Sequence, residues 1–183
     1  MFATSEELLR ATAHIKVSPK DNGSIDLIVC RPVKGERQEL LEAELDLVMG
    51  LLGDNWATRG NPRKRGTPAL ADTQLTLMNS RAIAAIAKEK NRWKLAGDQF
   101  FVDFDLSYSN VRPGTRLVLG EAMIEVTSEP HLGCAKFRRH YGQGATAFVN
   151  SPLGKSLNLR GINAKVVVPG LVWQGAAIHK IKT

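Results

Sequence analysis

The chain is short of several things, and each shortage closes a class of function. Only two cysteines, Cys30 and Cys134, occur in 183 residues. That is too few for the cysteine set of an iron–sulfur cluster or for a disulfide scaffold. Aromatic residues make up 6%, and the stacking-aromatic pattern of RNA-binding sheets is missing. No apolar run is long enough to read as a membrane span. Glu6 and Glu7 stand where a secretory signal would carry basic residues, so the sequence reads as a cytoplasmic protein with reduced thiols. No Gly-x-Ser-x-Gly elbow occurs, which removes serine hydrolases of that type, and the basic stretch over 59–66 is not a P-loop, since it lacks the required Gly-Lys-Ser/Thr ending. There is no flavin motif, no internal repeat and no low-complexity segment.

What remains is an ordinary globular composition. Apolar residues account for 43% and charged residues for 23%, and the length suits a single domain over residues 1–183 with a substantial core. The formal net charge is +7, which favours anionic partners: nucleic acid, an acidic protein, or a small phosphate-bearing ligand.

Periodicity predicts a mainly β chain with a few helices, an α+β class. Residues 12–17 and 24–30 read as strands joined through Lys20-Asp21-Asn22-Gly23, with Ile25, Leu27 and Val29 on one face. Leu41, Leu45, Val48 and Leu52 follow helical spacing and predict a helix over 37–52 stopped by Gly53. A polar stretch over 54–68 reads as a long loop. Gln74–Met78 reads as a short strand, and Asn79 as the cap of a helix running through Ile83 and Ile86 to about Lys90. Residues 115–119 and 122–127 make a hairpin across Gly120-Glu121. A short helix is expected over 143–150, a turn at Ser151–Gly154, a strand over 162–168, and a last strand through Leu171, Val172 and Trp173.

Cys134 is the residue with the most chemical content. It follows a Pro/Gly turn in Glu129-Pro130-His131-Leu132-Gly133-Cys134-Ala135-Lys136-Phe137-Arg138-Arg139-His140. The thiolate is the form that attacks electrophiles and ligates soft metals, and surrounding cations favour it. Cys30, inside an apolar strand, reads as packing. The basic loop Arg59-Gly60-Asn61-Pro62-Arg63-Lys64-Arg65-Gly66 offers guanidinium forks and close backbone approach suited to phosphate, with Arg59 the better ligand contact and Lys64 solvated. His131, Cys134 and His140 have irregular spacing for zinc. Asp103 and Asp105 could share a strand face for acid–base work, but read better as exposed strand or cap residues.

With these pieces in place, the chain resembles the MOSC family, domains similar to the C-terminal part of molybdenum cofactor sulfurases. The resemblance is clearest over residues 97–178. It rests on Asp98–Asp103, Pro113–Gly120, Ile124–Thr127, Pro130–Phe137, Leu159–Ala164 and Pro169–Gly175, with Arg31-Pro32, Gly53–Trp56 and Gln74–Asn79 upstream. It implies a β-barrel-like domain in which Cys134 carries sulfur or ligates molybdenum. It further implies a basic pocket for the phosphate of the anionic pterin cofactor (molybdopterin), for which Arg59, Lys136, Arg138 and Arg160 are the candidates. The chain departs from the family where relatives often carry His-Gly-Gly and it has Arg59-Gly60-Asn61. Asp103 stands about where several relatives have asparagine. No aminotransferase-like domain is present, so any pyridoxal-phosphate chemistry that makes a persulfide would come from a cysteine desulfurase-like partner.

Three functions follow. The first is a cofactor-binding or sulfur-carrying protein acting through Cys134. The second is a molybdenum-dependent reductase of N-hydroxylated compounds, which would need a redox partner. The third is a basic nucleic-acid-binding module, supported by charge alone and separable by its steep salt dependence.

Overall fold

The computed structural model describes residues 2–61, Lys64 and 66–181. Its centre is built from strands that are apolar on both faces. In β1 (Gly23–Cys30), Ile25, Ile28 and Cys30 belong to one buried cluster while Leu27 and Val29 belong to another. The same division runs through β5 (Leu75–Asn79) and β6 (Phe100–Asp103), the one parallel pair among the described strands. Leu75, Leu77, Phe100 and Val102 point one way, Met78 and Phe101 the other. Alternate side chains leave a strand on opposite faces, so a strand buried on both reads as a continuous apolar run.

Five further strands complete the architecture around these three. The hairpin β7 (Arg116–Leu119) and β8 (Ala122–Val126) turns at Gly120, which has φ +58° and lies so close to Leu171 O that a Cβ would sit 2.7 Å from it. The chain then returns through β9 (Ile162–Val168) and β11 (Ala177–Lys180). Neighbours in the sheet run β11-β7-β8-β9-β5-β6-β1, and β11 pairs back onto β1, closing a seven-stranded barrel. Closure removes the sheet edges that would otherwise present unpaired backbone. The short β2 (Gln38–Leu40) extends the sheet beside β1. Outside the barrel, β10 (Gly170–Trp173), β3 (Glu42–Asp46) and β4 (Gly50–Leu51) form a small antiparallel sheet.

A helical layer covers the outward side chains of β1, β5 and β6. Helix α1 (Ser5–Lys16) begins with a capping box: Glu7 N donates to Thr4 Oγ1, and Thr4 N donates to the Glu7 carboxylate. It packs on α3 (Ser80–Ala87) and α4 (Ala135–Asn150) through Leu8 and Ile15. Asn79 does cap α3, accepting from Ala82 N at 2.9 Å. Short α2 (Trp56–Arg59) and α5 (Pro152–Ser156), with 3-10 turns at Ala71–Thr73 and Lys90–Ala96, complete the described elements. No described helix is long and apolar enough to cross a membrane.

Seven expectations are corrected. Residues 12–17 belong to α1, because the Thr4–Glu7 box starts a helix whose buried face is Leu8, Thr12 and Ile15. Residues 37–52 are strands. Leu41 and Val48, two of the residues that suggested a helical stripe, are 79% and 73% exposed, whereas Ala43 and Leu45 alternate into the core. Ile25 does not share a face with Leu27 and Val29, because a register shift between Ile25 and Leu27 turns Ile25 into the barrel. Helix α4 starts eight residues before 143 and bends at Gly142, whose φ of +86° is non-helical. Ser151–Gly154 opens a short helix, with Ser151 Oγ capping Gly154 N, and β11 follows the strand expected to be last. The long loop over 54–68 contains α2, and Pro62, Arg63 and Arg65 of the expected phosphate loop lie outside the described residues.

Candidate functional site: a cationic cleft beside Cys134

Cys134 is the N-terminal boundary residue of α4, in extended conformation, and its free thiol is exposed. The loop that presents it is fastened at both ends. Asn163 Nδ2 donates to Glu129 O at 3.0 Å. At the other end Asn150 clamps Gly133 twice, accepting from its N–H at 2.9 Å and donating to its carbonyl at 3.0 Å. Cys30, by contrast, is buried in β1, and removal from water pushes its thiol up. It is packing, as its strand context suggested.

The thiol-bearing loop forms one wall of a cleft of about 670 Å³. Opposite it stand α2 with Gly60 and Asn61, and the Leu95–Gly97 turn. Five cationic side chains line this space: Arg31, Arg37, Arg59, Lys136 and Arg160. They fall into two kinds.

Arg31 and Arg160 are held from behind. Arg31 at the exit of β1 grips Asp54 through Nε (2.7 Å) and Nη2 (2.8 Å), and its Nη1 donates to Gly97 O at 2.8 Å. Asp54 also accepts from Arg31 N and Trp56 N. Arg160 donates from Nη1 to Asp98 at 2.6 Å and from Nη2 to Ala96 O at 2.9 Å, with its guanidinium 4.9 Å from the centre of the Phe137 ring. Both side chains are almost fully buried and their charge is matched by a buried carboxylate. Such pairs keep each other folded in place and leave few donors for a ligand.

Arg37, Arg59 and Lys136 make no ion pair among the described residues. Arg37 is half-buried; one Nη donates to Glu36 O and its Nε is sealed from water without a partner. Loss of hydration, followed by repulsion from Arg31, holds the Arg37 and Arg59 guanidiniums below their usual range. Arginine stays protonated regardless, so the consequence is a local excess of positive charge in want of an anion.

His131 lies at the inner end of the wall. Its Nδ1 is 3.5 Å from Asp98 Oδ1, and neither atom has a hydrogen-bond partner among the described residues. Burial and the neighbouring Arg160 charge press its pKa down to about 3, against the opposing pull of Asp98. The ring is therefore neutral at physiological pH. Nδ1 is sealed from water, while 17% of the side chain as a whole is exposed. Gly161 makes room here: its φ is +107°, and a Cβ would meet Leu77 O at 2.2 Å and His131 Nδ1 at 3.3 Å.

Of the residues singled out from the sequence, Cys134, Arg59, Lys136 and Arg160 line one cleft. Arg138 does not; it faces a shallow depression on the other side of Cys134, 3.5 Å from Gln143 Oε1. Asp103 is also elsewhere, in a two-point pair with Arg81 (2.7 and 3.0 Å), so it sets no acid against the cleft. Asp105 lies beyond β6 and caps Ser107 N, which is the cap reading. Sequence reasoning missed Arg37, the counter-ions Asp54 and Asp98, and the Asn150 clamp. Arg31, Asp54 and Asp98 stood inside family-like segments, but Arg37 and Asn150 carried no local signal.

No family model and no curated protein matches the chain. Solved structures do. The YuaD protein from Bacillus subtilis is 20% identical with a TM-score of 0.63, covering 88% of this chain and 97% of that one. YiiM from Escherichia coli is 22% identical with a TM-score of 0.55, covering 87% and 70%. YiiM from Geobacillus stearothermophilus is 14% identical with a TM-score of 0.60, covering 87% and 75%. At these identities the likeness is one of fold, the closed β-barrel with its helical layer.

Proposed function

We propose that the cleft binds a phosphate-bearing pterin cofactor of the molybdopterin type, with Cys134 as the thiolate ligand to its metal. One observation carries the reading: an exposed, free thiol on a pinned loop lines a cleft with three cations that make no ion pair among the described residues. The donor set fits the group. Thiolate suits a soft metal, while Arg37 and Arg59 present guanidiniums suited to phosphate oxygens and Lys136 adds a point charge. Arg31 and Arg160, already tied to Asp54 and Asp98, shape the floor and position these residues. When bound, such a cofactor supplies a metal centre for oxygen- or sulfur-atom transfer. The chain's own contribution is to fix the thiol, hold the anion, and keep His131 neutral as a hydrogen-bond acceptor at the inner wall.

The test is molybdenum content per chain, for wild type and Cys134→Ser produced in a host with verified cofactor supply. Near-stoichiometric metal in the wild type and its loss in the variant support the reading and open assays on N-hydroxylated substrates with a reductase. Absence of metal from both overturns it. The surviving role for the same thiol is then sulfur carriage, read out by persulfide labelling after exposure to a cysteine desulfurase.

A further inference from the structure

Behind the Cys134 loop lies a second cavity, of about 360 Å³. Pro130, His131, Leu132 and Arg160 line both it and the cleft, so one chain segment separates the two spaces. The Asn150 clamp holds the end of that segment in place. The far wall comes from Val149 of α4 and from α5, where Gly154 packs so tightly that a Cβ would sit 2.2 Å from Phe148 O. The walls are therefore backed by packed chain, and the volume lies at the lower end of the roughly 300–1,000 Å³ usual for small-molecule pockets.

The lining sets apolar residues beside four polar ones, His131, Lys155, Asn158 and Arg160. Pro130 and Leu132, the latter 47% exposed, supply apolar surface in front of the buried Val149. Among its ionisable side chains, Arg160 is neutralised by Asp98 and His131 is uncharged. Lys155 is the third; it is exposed and makes no ion pair among the described residues. No carboxylate side chain lines the cavity among the described residues. An apolar slot with one unmatched ammonium complements an apolar body bearing one negative charge.

We propose that this cavity is a second small-molecule site, for a small apolar monocarboxylate whose body lies on Pro130 and Leu132 and whose carboxylate meets Lys155. It is independent of the cofactor reading, since none of its ligand contacts uses Cys134, Arg37 or Arg59.

The experiment titrates benzoate into the full chain carrying 13C-labelled leucine and valine methyls, with benzamide as the neutral control of the same shape. The expected result is saturable shifts centred on Leu132 and Val149. Lys155→Glu weakens binding at least tenfold, benzamide binds more weakly than benzoate, and Arg59→Glu changes nothing. Lys155 is exposed, so an unperturbed methyl spectrum elsewhere certifies the folded variant. Non-saturable shifts, a loss of binding on Arg59→Glu, or binding that Lys155→Glu leaves intact would each overturn the proposal.

Discussion

Arg31 and Arg160 differ from Arg37 and Arg59 by what stands behind them, although all four line one cleft. The first two are fixed by buried carboxylates and backbone carbonyls. The other two line the cleft without an ion pair among the described residues. The difference teaches that a count of cations does not identify ligand contacts. A guanidinium whose donors are spent on the fold is scaffold, and one whose charge is unmatched is available.

The largest expected effect comes from breaking the scaffold side. Asp98→Ala leaves the Arg160 guanidinium buried without its carboxylate and should cost about 3–5 kcal/mol, read from the urea midpoint. Arg160→Met in the same background should restore much of that loss by removing the stranded charge. If the single variant costs less than about 1 kcal/mol, the pair is not what holds this wall.

Next is the clamp. Asn150→Ala removes both hydrogen bonds to Gly133 and should cost about 1–3 kcal/mol. It should also change the alkylation rate of Cys134, which a purely distant packing defect would leave alone.

The comparison has a pH dependence as well. His131 is neutral in the fold, with its pKa held at about 3, while in the unfolded chain it titrates near the ordinary histidine value of 6.5. The unfolded state therefore binds more protons across this interval, and stability falls as pH drops from about 6.5 to about 3. His131→Gln should flatten that slope without altering the one above neutrality. An unchanged acid limb in the variant would show that other groups set it.

The smallest stability effect belongs to the open side. Arg37→Gln and Arg59→Gln should each shift folding by no more than about 0.5 kcal/mol, yet weaken binding of pyrophosphate to the cleft. A loss of about tenfold corresponds to about 1.4 kcal/mol. Calorimetric titration beside a thermal melt separates the two classes of arginine. If Arg37→Gln destabilises as much as Asp98→Ala, the division between scaffold and contact fails.

Elements with local signals were legible. The Gly120 turn, the Asn79 cap and the Ile162–Val168 strand each carry their cause within a few residues. Residues 37–52 misled because Leu41, Val48 and Leu52 happen to repeat at helical spacing while pointing largely at solvent. The capping box at Thr4 and Glu7 was readable and outweighs the apolar residues that suggested a strand over 12–17. For the site, the exposed thiol and its basic neighbours were visible as a run, but a run has no inside or outside. Only folding turns Lys136 into the cleft and Arg138 away from it.

By itself the sequence determined the β-rich class, the hairpin, the helix cap and the chemical singularity of Cys134, all consequences of short-range geometry and residue type. The tertiary structure alone decided which arginines are spent and which are open. That choice depends on Asp54, 23 residues from Arg31, and on Asp98, 62 residues from Arg160. Charges so far apart in the chain meet only when strand pairing sets β9, β5, β6 and β1 side by side and their connecting loops converge.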